Sequence, residues 1–240
     1  MKSFAAVLLL AALANAEDPA PPKFDPAAED LVKKLEAKIA SAKTVSMAWT
    51  MDLDSAAEKR KFAIKLLFRE GNRVALHVDD ADPAAKGAYS LSAVCDGKRV
   101  SRGDPDGTAV EDAPADLASR GRELAVRAPL RELTMTLGGG PSKFTCKYTG
   151  FTFLEDAKIG DRAVKVVAYA SSHGKNEFQM KLWIDAEKLE LLKRETVESR
   201  KGVETARVTD TFTAMTCDGE VADDVFAVPE AKGGDKKEEK

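Results

Sequence analysis

The chain has 240 residues, 44% of them apolar and 32% charged, with a formal net charge of −3. That is enough apolar material for a sizeable core in one large domain or two small ones, and the mildly acidic, mixed charge argues against an extended nucleic-acid footprint. The two histidines, His77 and His173, and the three cysteines, Cys95, Cys146 and Cys217, fit no zinc or redox spacing.

Met1-Lys2 gives a short positive start, Phe4 to Leu13 is apolar and uncharged, and Ala14-Asn15-Ala16 carries small residues where a signal peptidase reads. This pattern predicts a secretory signal cleaved after Ala16. The apolar run is far shorter than the ~20 residues that a spanning helix needs, and no cysteine stands at the cleavage point to carry a lipid anchor. Loss of Lys2 with the signal takes the net charge from −3 to −4. For an exported chain, any one of three cysteine pairings, or three free thiols, is compatible with the sequence.

Pro19, Pro21 and Pro22 mark a linker over residues 17–24. Asp25 is placed to cap a helix whose first position is Pro26. Leu31, Leu35 and Ile39, broadened by Val32 and Ala42, form one apolar stripe away from Lys33, Lys34 and Lys38.

From Thr44 the period changes to two. Met47, Trp49, Met51 and Leu53 alternate with polar or small residues, as do Phe62, Ile64, Leu66 and Phe68. Glu70-Gly71-Asn72 turns the chain into Val74, Leu76 and Val78, and Asp96-Gly97 is a hairpin signal between Ala88–Cys95 and Lys98–Ser101. Asp104 to Pro114 is rich in Gly, Asp and Pro and reads as a loop. Ala115 to Leu137 reads as helix, broken near Ala128 because Pro129 disfavours helix before it. Gly138-Gly139-Gly140-Pro141 ends it. Strands are expected over Phe144–Leu154 and Ala163–Ser171, around a turn at Ile159-Gly160-Asp161. Phe178, Met180, Leu182 and Ile184 then alternate, and Leu189–Ser199 and Val203–Ala214 flank Lys201-Gly202. Phe226-Ala227-Val228-Pro229 closes the domain. Helices are too few to separate parallel strands, so the sheet must be mainly antiparallel. About ten such strands would curl strongly. The expected organisation is a signal peptide over 1–16, a linker over 17–24, one domain over 25–230 and a charged, disordered tail over 231–240. The fold class is α+β, mainly β: an incomplete antiparallel β-barrel with a helical lid.

Three segments resemble the LolA-type carriers of outer-membrane lipoproteins. Val94-Cys95-Asp96-Gly97-Lys98 resembles their "sDGk" hairpin. Leu182-Trp183-Ile184-Asp185 with Leu191-Leu192-Lys193 resembles their "lwID…lplr" segment. Val208-Thr209-Asp210 through Asp224-Val225-Phe226-Ala227-Val228-Pro229 resembles their ending. The resemblance spans roughly Asp25 to Pro229. It implies a half-barrel around a hydrophobic cavity that carries acyl chains across the periplasm, with an arginine that helps latch the lid. Arg69 occupies the matching place and Asn72 follows it. The family's intervening proline is absent, Glu70-Gly71 standing instead, and Val74 replaces an aromatic residue.

The cavity-lining candidates are Met47, Trp49, Met51, Leu53, Phe62, Ile64, Leu66, Phe68, Val74, Leu76, Phe178, Met180 and Leu182, with Arg69 as the lid latch. Met47, Met51, Met135 and Met180 suit irregular guests because a thioether is adaptable. The expected ligand is a lipid or an acylated lipoprotein, with an envelope donor or acceptor protein as further partner, the chain itself being a monomer. No nucleic acid, metal, cofactor or catalytic residue is expected. Ser171-Ser172-His173 lacks the nucleophile-elbow glycines. Asp79-Asp80-Asp82 continues into no calcium loop, and Gly138-Gly139-Gly140 lacks the lysine of a phosphate loop. The alternative reading is an envelope sensor or interaction module of the same fold, with a filled interior and a partner on an exposed face. A hydrolase would require Ser172 and His173 to converge with an acid.

Overall fold

The structure is a computed structural model; it describes residues 24–84, 88–104, 107–128, 130–137 and 147–229. The signal, most of the linker, Gly138–Pro141, Cys146 and the charged tail lie outside the described residues.

The first element is α1 (Pro26–Ser41). Asp25 accepts a hydrogen bond from the Ala27 amide at 2.9 Å, with Pro26 in the first helical turn. Ala28, Val32, Leu35 and Ile39 are its buried stripe. The chain then runs through β1 (Thr44–Ser55), β2 (Lys59–Arg69), β3 (Arg73–Asp80), β4 (Ser90–Asp96), β5 (Arg99–Asp104) and β6 (Gly107–Asp112). Two helices follow, α2 (Leu117–Arg127) and α3 (Leu130–Leu137), and the break between them falls at Ala128, as the proline requires. The second half contains β7 (Lys147–Phe153), β8 (Ala157–Ile159), β9 (Arg162–His173), β10 (Asn176–Asp185), β11 (Glu190–Arg200) and β12 (Val203–Cys217). A one-turn 3-10 helix over Asp223–Phe226 closes the described chain.

The strands form one sheet in the order β6-β5-β4-β3-β2-β1-β12-β11-β10-β9-β7, with β8 beside β9. Every pairing is antiparallel. Strands β6 and β7 end the order without pairing to each other, so the barrel is open. The seam between β1 and β12 joins the two halves. Register shifts at Ala48/Trp49, Trp183/Ile184 and Glu198/Ser199 are bulges, which increase local twist and help the sheet curl.

One expectation is corrected. Asp104 to Pro114 is not a single loop. Asp104 pairs with Gly107, and Thr108-Ala109-Val110 pairs back onto β5 as strand β6. Thr108 and Val110, β-branched residues beyond Gly107, supply the strand.

Candidate functional site

Alternation along the strands divides the sheet into two faces, and register fixes the rows. On the inner face Val45 lies between Phe68 and Cys217, Met47 between Leu66 and Met215, and Trp49 between Ile64 and Phe212. Met51 lies between Phe62 and Asp210, and Leu53 between Arg60 and Val208. The rows continue through Val74 and Leu76 on β3 and through Arg194, Thr196, Met180 and Leu182 on β11 and β10. The three helices lie on this face and share one core with it.

Within that core sits a charged pair. Arg194 and Asp210 are each 1% exposed and are adjacent in the β11–β12 ladder, with Arg194 Nε donating to Asp210 Oδ2 at 2.7 Å. Trp49 Nε1 donates to the second carboxylate oxygen at 3.0 Å. The guanidinium also donates to the main-chain carbonyls of Ala125, Val126 and Ala128, at 3.2, 3.3 and 2.7 Å. These are the carbonyls that a helix C-terminus leaves without intrahelical partners, and a cation there also meets the negative end of the helix dipole. Arg194 is therefore the sheet's cap for α2.

The other end of α2 is held in the same manner. Asn72 has a φ of 61°, an αL conformation that asparagine tolerates, at the β2–β3 turn. Its side-chain oxygen accepts from the Ala118 amide at 2.8 Å, and its nitrogen donates to Pro114 O at 2.8 Å. Between the two clips, α2 buries three small residues, Ala118, Gly121 and Ala125, together with Leu117, Arg122 and Val126. A Cβ on Gly121 would lie 2.6 Å from Phe68 Cε1, so glycine alone permits this approach.

Arginines also tie α2 to α1. Arg122 donates to Ile39 O and Ala42 O at 2.7 and 2.6 Å, capping α1. Arg127 is paired with Glu36 through two contacts, one of them 2.5 Å. Burial pushes the Glu36 carboxyl above its usual range despite the Arg127 guanidinium. Tyr169 from β9 donates to Arg127 O at 3.1 Å.

Met47, Trp49, Ile64, Leu66, Phe68, Val74, Leu76, Met180 and Leu182 are all buried in this one core, as are Met51, Phe62 and Phe178. Leu53 is half-buried at its margin. The structure thus brings every expected lining residue onto one face, and α1, α2 and α3 lie over it. Arg69, the last residue of β2, takes the outward register and also borders the cleft between the end of α1 and the start of α2. It donates to Val221 O at 3.2 Å and pairs with Asp223, both in the segment after β12. Clefts lined by described residues lie outside the core. One of about 500 Å³ runs along Ser41, Lys43, Thr44, Arg69, Glu70, Asp218 and Gly219. Another of about 300 Å³ separates the end of α1 from the start of α2, beside Asn72 and Arg122.

The acidic residues 79, 80 and 82 are separately engaged: Asp79 accepts from Ser90, Asp80 pairs with Arg60, and Asp82 accepts from the Ala84 amide. Ser172 and His173 are consecutive on β9 and therefore point to opposite faces. Met135 is exposed on α3. Cys95 and Cys217 are free thiols, and burial pushes the Cys95 thiol up.

Arg194, Asp210 and Arg122 escaped the reading of the sequence. A signal for the first two existed. In β11 and β12 the inward register that holds Phe212 also holds Arg194 and Asp210, and opposite charges at inward positions of neighbouring strands announce a buried pair. For Arg122 there was no such signal, because helix α2 carries arginines at 120, 122 and 127 and only packing distinguishes them.

No protein-family model and no curated protein sequence matches the chain. Solved structures with a similar course exist at low identity. The MucA/MucB complex of Pseudomonas aeruginosa matches at 15% identity and a TM-score of 0.45, over 85% of this chain and 61% of that one. The Mycobacterium tuberculosis lipoprotein LppX matches at 12% identity and a TM-score of 0.45, over 80% and 96%. A LolA superfamily protein from Nitrosomonas europaea matches at 10% identity and a TM-score of 0.37, over 84% and 97%. This chain spans less than two thirds of the MucB chain.

Proposed function

We propose that this protein is an exported carrier of lipid or lipoprotein acyl chains, with the inner face of the half-barrel as its binding surface and α2 as a detachable lid. The observation that supports this reading is the way α2 is held. An apolar sheet face is covered by a helix that buries small residues, Ala118, Gly121 and Ala125, beside Leu117 and Val126, and is fixed at its two ends by Asn72 and Arg194. Small residues interdigitate little, so lifting the helix forfeits chiefly the packing of Leu117 and Val126. It uncovers Phe68, Leu66, Met47 and their neighbours, which an acyl chain can cover instead. Each methylene buried contributes ~0.8 kcal/mol, so a chain of a dozen or more supplies on the order of 10 kcal/mol toward opening the lid and binding. The cost of opening lowers net affinity and makes release feasible. The signal pattern over residues 1–16 supports export, and the direction of delivery is toward the outer membrane. The chain acts as a monomer, receiving cargo from a donor protein and passing it to an acceptor.

The test is native mass spectrometry of the purified protein offered an acylated peptide. A stoichiometric complex that the unacylated peptide does not form is expected. A protein that remains ligand-free at saturating acyl peptide overturns the carrier reading. A second reading, an envelope interaction module, is favoured by the inner face being covered in the closed form, and it is what that negative result would leave.

A further inference from the structure

Strand alternation that sends Phe68 and Val74 inward sends Arg69 and Arg73 outward, directly opposite one another on β2 and β3. Two like charges in facing positions destabilise a sheet unless an anion lies between them. Here the anion is Asp223. Its Oδ1 is shared by both guanidiniums, at 2.6 Å from Arg73 Nη1, while the carboxylate remains 74% exposed. The chain reaches this point by crossing from the end of β12: the Asp218 amide donates to Thr44 O and its carboxylate accepts from the Lys43 amide, and Arg69 also holds Val221 O.

Three residues beyond Asp223 comes Phe226. In a 3-10 turn the side chains at i and i+3 eclipse, so carboxylate and ring face the same way. The turn lies against β3 and β4, and Phe226 is 2% exposed although it stands outside the main core. Ala75, which faces outward on β3, is likewise buried and outside that core. The outer face thus carries a two-part seat: a pair of arginines and, one outward position further along β3, an apolar patch.

The same turn that presents Arg69 and Arg73 to this segment presents Asn72 to α2 on the other side. It is a tightly built junction. A Cβ on Gly97 would lie 2.3 Å from Gly71 O, and Cys95 Sγ donates to Asn72 O at 3.1 Å. The arginines of the seat and the asparagine that holds α2 therefore belong to one turn.

We infer that this outer seat is a docking site for a partner segment bearing a carboxylate three residues before an aromatic side chain, and that Asp223–Phe226 fills it in cis until a partner exchanges with it. The grip on Asp223 is solvent-exposed and screened by salt. That makes the carboxylate end the place where exchange begins, and Phe226 the part that a competing aromatic ring must replace. Exchange frees the β2–β3 turn to move and loosens α2. The inference stands apart from the acyl-carrier reading, since its readout requires no lipid.

The probe is a fluorescent peptide of residues Glu220–Pro229, titrated against the full-length protein and against full-length Asp223→Ala/Phe226→Ala, in which the cis segment is released. Binding to the released variant at least tenfold tighter than to the native protein, weakening with salt, is the expected result. The same peptide with alanine at both anchor positions should not bind. Amide exchange over residues 117–127 should quicken in the released variant and slow again when peptide is added. Should the double variant fold poorly, Asp223→Asn retains Phe226 and should still bind the peptide more tightly than the native protein. Equal affinity for native and released forms overturns the inference, as does binding of the doubly substituted peptide. A dimer of the native protein that depends on Phe226 would assign the seat to a second copy and overturn it also.

Discussion

Arg194 and Asp210 show how one pair of side chains can connect a sheet to its cover. Taking two charges out of water is costly, and a buried pair is stable only when its remaining donors and acceptors are satisfied. Here the guanidinium reaches Asp210 and three carbonyls, and the carboxylate also receives Trp49 Nε1. Arg194→Ala strands a buried carboxylate and leaves the end of α2 uncapped. It should lower stability by ~3–5 kcal/mol in urea unfolding. Replacing both members with apolar residues of similar volume, Arg194→Met with Asp210→Leu, should recover most of that loss, because no charge is then left buried. A double variant as unstable as the single one would mean that the capping of α2, and not the buried charge, dominates. The surface pair Lys59–Asp54 offers a contrast at the same scale: both side chains are largely exposed, and such pairs contribute ~0–1 kcal/mol.

Helix α2 covers part of the inner face, and its seating is decided by Gly121. Phe68 occupies the space that any Cβ there would need. Gly121→Ala raises helix propensity, which by itself would stabilise the helix by up to ~1 kcal/mol. The clash opposes this, because Phe68 is buried and its ring has little room to move. The expected outcome is a net loss of ~1–3 kcal/mol with faster amide exchange in α2 and unchanged exchange in β1 and β12. Equal exchange everywhere would show that α2 does not open as a unit. Strand β6 raises a different matter. It is an edge, and it carries Glu111 and Asp112, charges that discourage pairing with a second molecule.

Across the molecule, stability follows the charges that folding has tuned. The backbone amide of Arg99, against the opposing effect of burial, and then that of Lys98 hold the Asp96 carboxyl below the usual range; Arg60 does the same for Asp80. At Asp185 burial acts upward, but the Lys188 amide and Arg162 outweigh it and the carboxyl is again lowered. A lowered carboxyl stabilises the fold above the ordinary carboxylate range, and that contribution is lost as the pH falls through it, because the unfolded chain takes up protons first. Glu36, raised by burial, has the opposite sign and contributes more as the pH falls. Three lowered groups against one raised group predict a melting temperature that declines between about pH 5 and pH 3. Asp185→Asn should flatten part of that decline. Melts followed by circular dichroism check this, and an Asp185→Asn profile parallel to the native one would refute the role given to Asp185.

Most of the strands, the faces of the sheet and the position of α1 are legible in the chain alone; strands β6 and β8 are not. Period-two alternation survives any tertiary arrangement, because successive side chains of a strand must point to opposite sides. Even the break at Ala128 was legible, since a proline restricts the residue before it wherever the chain goes. The inner face was therefore readable down to Leu53 at its margin. Which charges are buried, and which turn of chain holds which, emerges only when distant segments pack together. The sequence does not show that Arg69 pairs with Asp223, nor that Asn72, three residues later, holds the start of α2. Arg122 and Arg194 cap helices far away in sequence. A hydrogen bond to a main-chain carbonyl leaves no mark on the residue that accepts it, so only the folded chain can show where such a bond forms.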